Sequence, residues 1–348
     1  MTPKNKKLRE VGESEIIQLI DDLLFKRTKK RLIRDDAFYS KIEHVSIKRD
    51  TESLVLCLNS DMLVSTTDVP QQMNYRQMGY KAVIMNSSDL IVKGVSPQGI
   101  IISLGLPPEL RVAHFKSMLN GIIDACESFE MDYIGGDINE TQEIIINPTV
   151  FGVQKEKFII HREPINPGDV VVANGKFGLT GVGLDILLNK SEKGSDPIEQ
   201  FSSYKRSIKS VLSPHIGSEG IILAQSQLVN ASIDSSDGLL RSLHELMRSN
   251  PQIGFEITLN NALIDNEATQ YSKEFDIPLK KLIFTGAGEE FIQLFIMSKD
   301  AYKKAKKLIE QTGGHLFSIG KVINETEIYG IKKGQKFVLS GRGYEHFS

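Results

Sequence analysis

Apolar and polar positions along this chain alternate between a helical and a strand period. Residues 14–25 (SEIIQLIDDLLF) carry apolar side chains at helical spacing, with Ser14 in the N-cap position. Residues 54–58 form a strand-length apolar run that ends at Asn59-Ser60-Asp61. Residues 75–93 predict a long, nearly apolar helix, 99–104 a strand, and 109–129 a helix opened by Pro107-Pro108. Tyr133 and Ile134 lead into Gly135-Gly136-Asp137, and 143–153 reads as a β-branched strand broken by Pro148. In the second half, 169–173 predicts a strand, and a Gly-rich turn over 175–183 passes into a helix ending near Asn189. A polar loop over 191–200 follows, then helices at 216–227 and 239–248 and strands at 255–259 and 291–297. A lysine-rich surface helix at 301–311 and a short strand at 336–339 close the pattern. Strands and helices mix without a strict βαβ rhythm, and no short-period repeat is visible. This predicts an α+β (α/β) fold. With 348 residues, too many for one ordinary core, the expectation is two domains, 1–160 and 161–348.

Composition narrows the function classes. The chain is 40% hydrophobic and 25% charged, with a formal net charge of -2, a balance that gives no support to nucleic-acid binding. The two cysteines, Cys57 and Cys126, lie inside apolar runs and read as buried thiols. No apolar run approaches a membrane span, and residues 1–10 are polar and lysine-rich, unlike a secretory signal. A cytoplasmic protein without membrane attachment is expected.

The candidate chemistry lies in acidic residues at the ends of the apolar runs: Arg34-Asp35-Asp36, Asn59-Ser60-Asp61, Asn86-Ser87-Ser88-Asp89, Gly135-Gly136-Asp137 and Asp234-Ser235-Ser236-Asp237-Gly238. An ionised carboxylate beside a core is costly unless something positive accompanies it. No matching set of Arg or Lys flanks these motifs. A divalent metal is the economical partner, and Mg²⁺ held by a few carboxylates commonly takes phosphates as further ligands. Between Lys81 and Lys93 the predicted helix holds no charge but Asp89, and Asn86, three residues earlier, shares its face. Asp234 to Asp237 also suit a helix N-terminus, with Ser236 or Asp237 as the cap and Asp234 as a ligand. The run Gly175, Gly178, Gly181, Gly183 lacks both phosphate-loop spacings and reads as a strand-to-helix turn. The basic run 26–34 reads as a solvated segment.

In this order the motifs resemble the thiamine-monophosphate kinase family, part of the superfamily of aminoimidazole ribonucleotide synthetase. The likeness runs from Val11-Gly12-Glu13 through the acidic motifs, Arg162 and Pro167-Gly168-Asp169 to Gly288-Glu289-Glu290 and Gly343-Tyr344-Glu345. It implies Mg²⁺-assisted phosphoryl transfer from ATP to thiamine monophosphate, on an N-terminal sheet domain that dimerises plus a C-terminal α/β domain. By position it implies Asp36, Asn59, Ser60, Asp61, Asp89, Asp137, Asp234 and Asp237 as Mg²⁺ ligands, with Asp89, Asp137 and Asp234 central to catalysis. It implies Gly136, Asp137, Arg162 and Ser236 as ATP contacts, and Asp68, Glu289 and Tyr344 on the substrate side. The chain departs from the pattern at Arg34, where a glycine is usual, at Asp68, where a histidine is usual, and at Glu289-Glu290-Phe291 in place of Glu-Asp-Tyr. Competing readings are another ATP-using ligase of the superfamily and an inactive ATP-binding scaffold. The reactive cysteine of the maturation relatives is missing at both of their positions.

Overall fold

The computed structural model describes residues 38–41, 53–192, 194–285 and 288–341, together with Gln18, Asp22, Phe25, Lys29 and Arg31. The helix expected at 14–25, the motif at Asp35-Asp36 and Tyr344 therefore lie outside, or almost outside, the described residues.

The first half builds a six-stranded sheet. Its strands are β1 (Phe38–Lys41), β2 (Leu54–Asn59), β3 (Leu63–Val64), β4 (Gly99–Leu106), β5 (Asp132–Glu140) and β6 (Ile145–Lys155). Their order is β1-β2-β6-β4-β5, with β3 also paired to β6. All pairs are antiparallel except β4 with β5. Pro148 was expected to break the β6 segment. The strand instead runs through it, with Pro148 opposite Ile102 of β4. On its other side β6 pairs with β2 only from Val150 and with β3 only up to Ile146. Pro148 thus faces the gap between them, where its missing N–H removes no ladder bond. Through this gap Asn59, Ser60 and Asp61 leave the sheet.

The second half builds a seven-stranded sheet from β7 (Val170–Ala173), β8 (Ala231–Ser235), β9 (Gly254–Thr258), β10 (Ile292–Met297), β11 (Phe317–Ile323), β12 (Ile328–Lys332) and β13 (Gln335–Val338). Its order is β13-β12-β9-β11-β7-β10-β8.

Helix α1 (Tyr75–Val92) lies between the two sheets, and α2 (Val112–Ser128) packs beside it. A side chain at Gly79 would meet the Met118 carbonyl at 2.1 Å, and one at Gly121 the Arg76 carbonyl at 1.8 Å. These glycines let the two helix backbones touch. From Lys81 onward nearly every residue of α1 is buried, because its other side contacts β8 and the helix Glu219–Ser226. Burial on all sides explains why its sequence has no amphipathic stripe. Asn74 starts α1 with a capping box, exchanging bonds with Gln77.

Candidate active site

A cavity of about 640 Å³ opens between the halves, large enough for a substrate-sized ligand. The first half contributes Asp61, Asp68 and Met85 to its wall, and the second half Ser236, Asp237 and Glu289.

The Asn59-Ser60-Asp61 loop is fixed by α1 and by the gap at Pro148. Ser60 Oγ donates to the Pro148 carbonyl at 2.8 Å. The Asp61 N–H donates to Asn86 Oδ1 at 2.7 Å, and Asn86 Nδ2 returns a bond to the Asp61 carbonyl at 3.0 Å. Asn59 Nδ2 donates to Asp89 Oδ2 at 2.5 Å. Asn86 and Asp89 therefore do share a face, and that face holds the loop. Ser88 points the other way and donates to Asp234 Oδ2 at 2.7 Å. One helical turn thus binds the acidic residues of both halves.

Asp234 is buried at the end of β8, and Ser242 Oγ donates to its carbonyl at 2.8 Å. The helix Leu239–Ser249 that follows was expected to be capped by Ser236 or Asp237. Its N-cap is Gly238, at φ 88, with no side-chain cap bond. Only glycine adopts that backbone easily. Ser236 and Asp237, relieved of capping, line the cavity.

Glu289 reaches the cavity from a left-handed backbone, φ 56, with its N–H donating to the Ser236 carbonyl at 2.5 Å. Its carboxylate pairs with Lys81 Nζ at 2.5 Å. Lys81, on α1, is completely buried and also donates to the Asp68 carbonyl at 2.6 Å. Asp68 Oδ2 accepts from the Val64 N–H at 2.7 Å while the residue lines the cavity. The sequence reading places this lysine in the family motif but gives it no role in the site. A cation in the middle of an apolar helical run was its signal, and only the fold reveals the glutamate that it meets. Next to it, Glu290 accepts from the Gly178 N–H at 3.0 Å. Burial pushes the Glu290 carboxyl up to about 8, against the opposing pull of the Gly178 amide and the Thr180 and Ser235 hydroxyls.

Other expected site residues lie elsewhere. Gly136 and Asp137 sit on β5, where Asp137 pairs in register with Ser103 and is exposed, away from the cavity wall. Arg162 has a guanidinium nitrogen 3.7 Å from Glu245 and does not line the cavity. The Gly-rich run is a packing device, as its turn reading suggests. A side chain at Gly181 would meet the Leu282 carbonyl at 2.1 Å, and one at Gly183 the Ser207 carbonyl at 2.1 Å. Among the described residues, no three His, Cys, Asp or Glu side chains gather closely enough to hold a metal by themselves.

Known proteins match this arrangement at three levels. Residues 35–154 match the family model described as AIR synthase related protein, N-terminal domain. A thiamine-monophosphate kinase of Pyrococcus horikoshii is 31% identical over 245 residues, covering 70% of this chain and 73% of the relative. One of Nitrosopumilus maritimus is 27% identical over 340 residues, 98% of this chain and 100% of the relative. A solved structure described as AaThiL complexed with AMPPCP and TMP superposes with a TM-score of 0.78 at 26% identity, covering 99% of this chain and 100% of that one.

Proposed function

The chain belongs to the thiamine-monophosphate kinase family and is an ATP-dependent kinase of thiamine monophosphate; we propose that the cavity between α1 and the second sheet is its transfer site. The observation that carries this reading is the junction at Ser88–Asp234, beside Asp89–Asn59. It holds Asp89 and Asp234 close behind a wall to which their chain neighbours Asp61, Ser236 and Asp237 contribute.

The acceptor is a phosphate monoester whose second pKa is about 6, so at neutral pH it is largely a dianion and already a nucleophile. No general base is required of the protein. What the protein must do is bring two polyanions together in line and exclude competing water. The donors Asn59, Ser60, Asp61, Asp89, Asp234 and Asp237 offer oxygen atoms only, which suits Mg²⁺. Bound Mg²⁺ would neutralise the facing phosphates. By the resemblance, Asp36 and Asp137 would complete the ligand set and Gly136, Arg162 and Ser236 the ATP contacts, although of these only Ser236 lines this cavity among the described residues. Asp68, Glu289 and Tyr344 are assigned to the acceptor side, with Lys81 holding Glu289 in place.

The reading includes a boundary between domains near residue 160, after β6 and before β7, and a cytoplasmic location. It also includes a homodimer formed through β5. That edge strand exposes Tyr133, Ile134 and Ile138, the last at 62%. An exposed, apolar, unpaired strand edge is a surface that a second copy can cover. Asp137 lies on the same strand and would sit at that joint.

The test is incubation with ATP, Mg²⁺ and thiamine monophosphate. Thiamine diphosphate and ADP should form in equal amounts. Nucleotide binding without thiamine diphosphate would instead favour an inactive scaffold.

A further inference from the structure

We propose that Asp185 selects the acceptor by pairing with its cationic ring. This rests on the kinase reading above and adds to it a residue that no sequence motif singled out.

Asp185 ends the helix α3 (Leu179–Asp185) and lines the cavity, with only 9% of its surface exposed. Its wall is built from other elements than those that hold Asp61 and Asp89. Tyr271 Oη donates to Asp185 Oδ2 at 2.8 Å, and Asn189 Nδ2 donates to Oδ1 at 3.0 Å. Burial, then the neighbouring carboxylate, push the Tyr271 phenol up, so it remains a donor. Both partners are neutral. Among the described residues no Lys, Arg or His forms an ion pair with Asp185, although Lys281 stands on the same cavity wall. Asp265 and Glu256 have cations against them, whereas Asp169, buried like Asp185 and also held by neutral donors, does not line the cavity. A buried carboxylate on the wall of a ligand cavity, held by neutral donors alone, is a favourable partner for a cation.

The chemistry of the acceptor supplies such a cation. Thiamine monophosphate joins a phosphate monoester to a thiazolium, a flat aromatic ring with a permanent positive charge. Its phosphate must lie with the Mg²⁺-binding acids. The ring then needs an apolar wall and an anion, and Leu184, Leu188 and Phe291 line the cavity together with Asp185. ATP carries no cationic group, so the same carboxylate discriminates against ATP entering in the acceptor's orientation.

The experiment compares two competitive inhibitors: the phosphate ester of an N-methylated hydroxyethylthiazolium, which is cationic, and its unmethylated, neutral thiazole counterpart. Wild-type protein should bind the cation about tenfold more tightly, and Asp185→Asn should bring the ratio near one. KM for thiamine monophosphate should rise about tenfold, with KM for ATP within about twofold and kcat little changed. Asp185→Ser is the second variant, should the first not fold. A wild-type ratio near one overturns the inference at once. So does a ratio that survives substitution, an equal loss for both probes, or a rise in KM for ATP alone. If the wild-type chain does not turn over thiamine monophosphate, the kinase reading falls and this inference with it. Turnover with an unchanged ratio overturns this inference alone.

Discussion

Ser88 and Asp89 are neighbours on α1, yet they serve opposite halves of the molecule, one bonded to Asp234 and the other to Asn59. At this scale the roles are separable by substitution. Asp89→Asn preserves shape and removes a charge. It should raise the Mg²⁺ concentration for half-maximal activity at least about tenfold while the melting temperature holds, and an unchanged Mg²⁺ response would remove Asp89 from the ligand set. Lys81→Met leaves Glu289 without its cation. Breaking a buried pair costs about 3–5 kcal/mol, and the partial exposure of Glu289 places the expected loss at the lower end. Denaturant unfolding measures it. Glu290 gives a pH prediction. Its folded value, about 8, stands above the ordinary 4.5, so between these values the folded chain holds a proton that the unfolded chain releases. Its contribution to stability is complete below about pH 4.5 and is lost as pH rises towards 8. Glu290→Gln should flatten the decline in melting temperature across that window. A variant that declines as steeply as the wild type would assign the effect to other groups.

Among elements, β5 shows how backbone chemistry limits sequence. A side chain at Gly136 would meet the Ile102 carbonyl at 1.8 Å, so the strand can lie against β4 only with glycine there. Gly136→Ala should destabilise the protein by more than about 2 kcal/mol, because the obstacle is backbone and cannot turn aside. The exposed face of the same strand leads to a different expectation. Ile134→Lys with Ile138→Lys should halve the mass measured by light scattering, since both side chains are exposed and contribute little to the monomer's core. A wild-type protein that is already monomeric at micromolar concentration would count against the β5 dimer. The chain's own punctuation needs equal care at this scale. Pro148 reads as a strand breaker, yet its position opposite the gap between β2 and β3 makes it harmless and gives Ser60 a carbonyl to bond.

For the whole molecule, α1 is the element on which the site depends. It touches both sheets, so a change in its polar turn is felt on both sides. Ser88→Ala should cost about 1–2 kcal/mol, since it removes a donor from a buried carboxylate, and it should lower kcat by weakening the alignment of the two halves. Much of this architecture was legible beforehand. The strands at Leu54–Asn59, Gly99–Leu106 and Val170–Ala173 and the helix Tyr75–Val92 stand close to where apolar periodicity puts them. Strands Phe317–Ile323 and Ile328–Lys332 and helices Lys205–Leu212 and Asn266–Glu274 were not read, because glycine, lysine and short polar runs interrupt their patterns.

The sequence by itself marked the acids proposed as a set, because local chemistry singles them out. Carboxylates at strand and helix ends, with no matching set of Arg or Lys flanking them in the sequence, point to Mg²⁺ and phosphate. The family followed from the order of those motifs. Only the tertiary structure decided how the groups divide. Packing α1 between two sheets set Lys81 against Glu289 and Ser88 against Asp234, pairs far apart in the chain. It left Asp137 exposed on an edge strand and buried Asp185 among neutral donors. Burial and partnership are properties of the assembled chain, and the charge of a site depends on both.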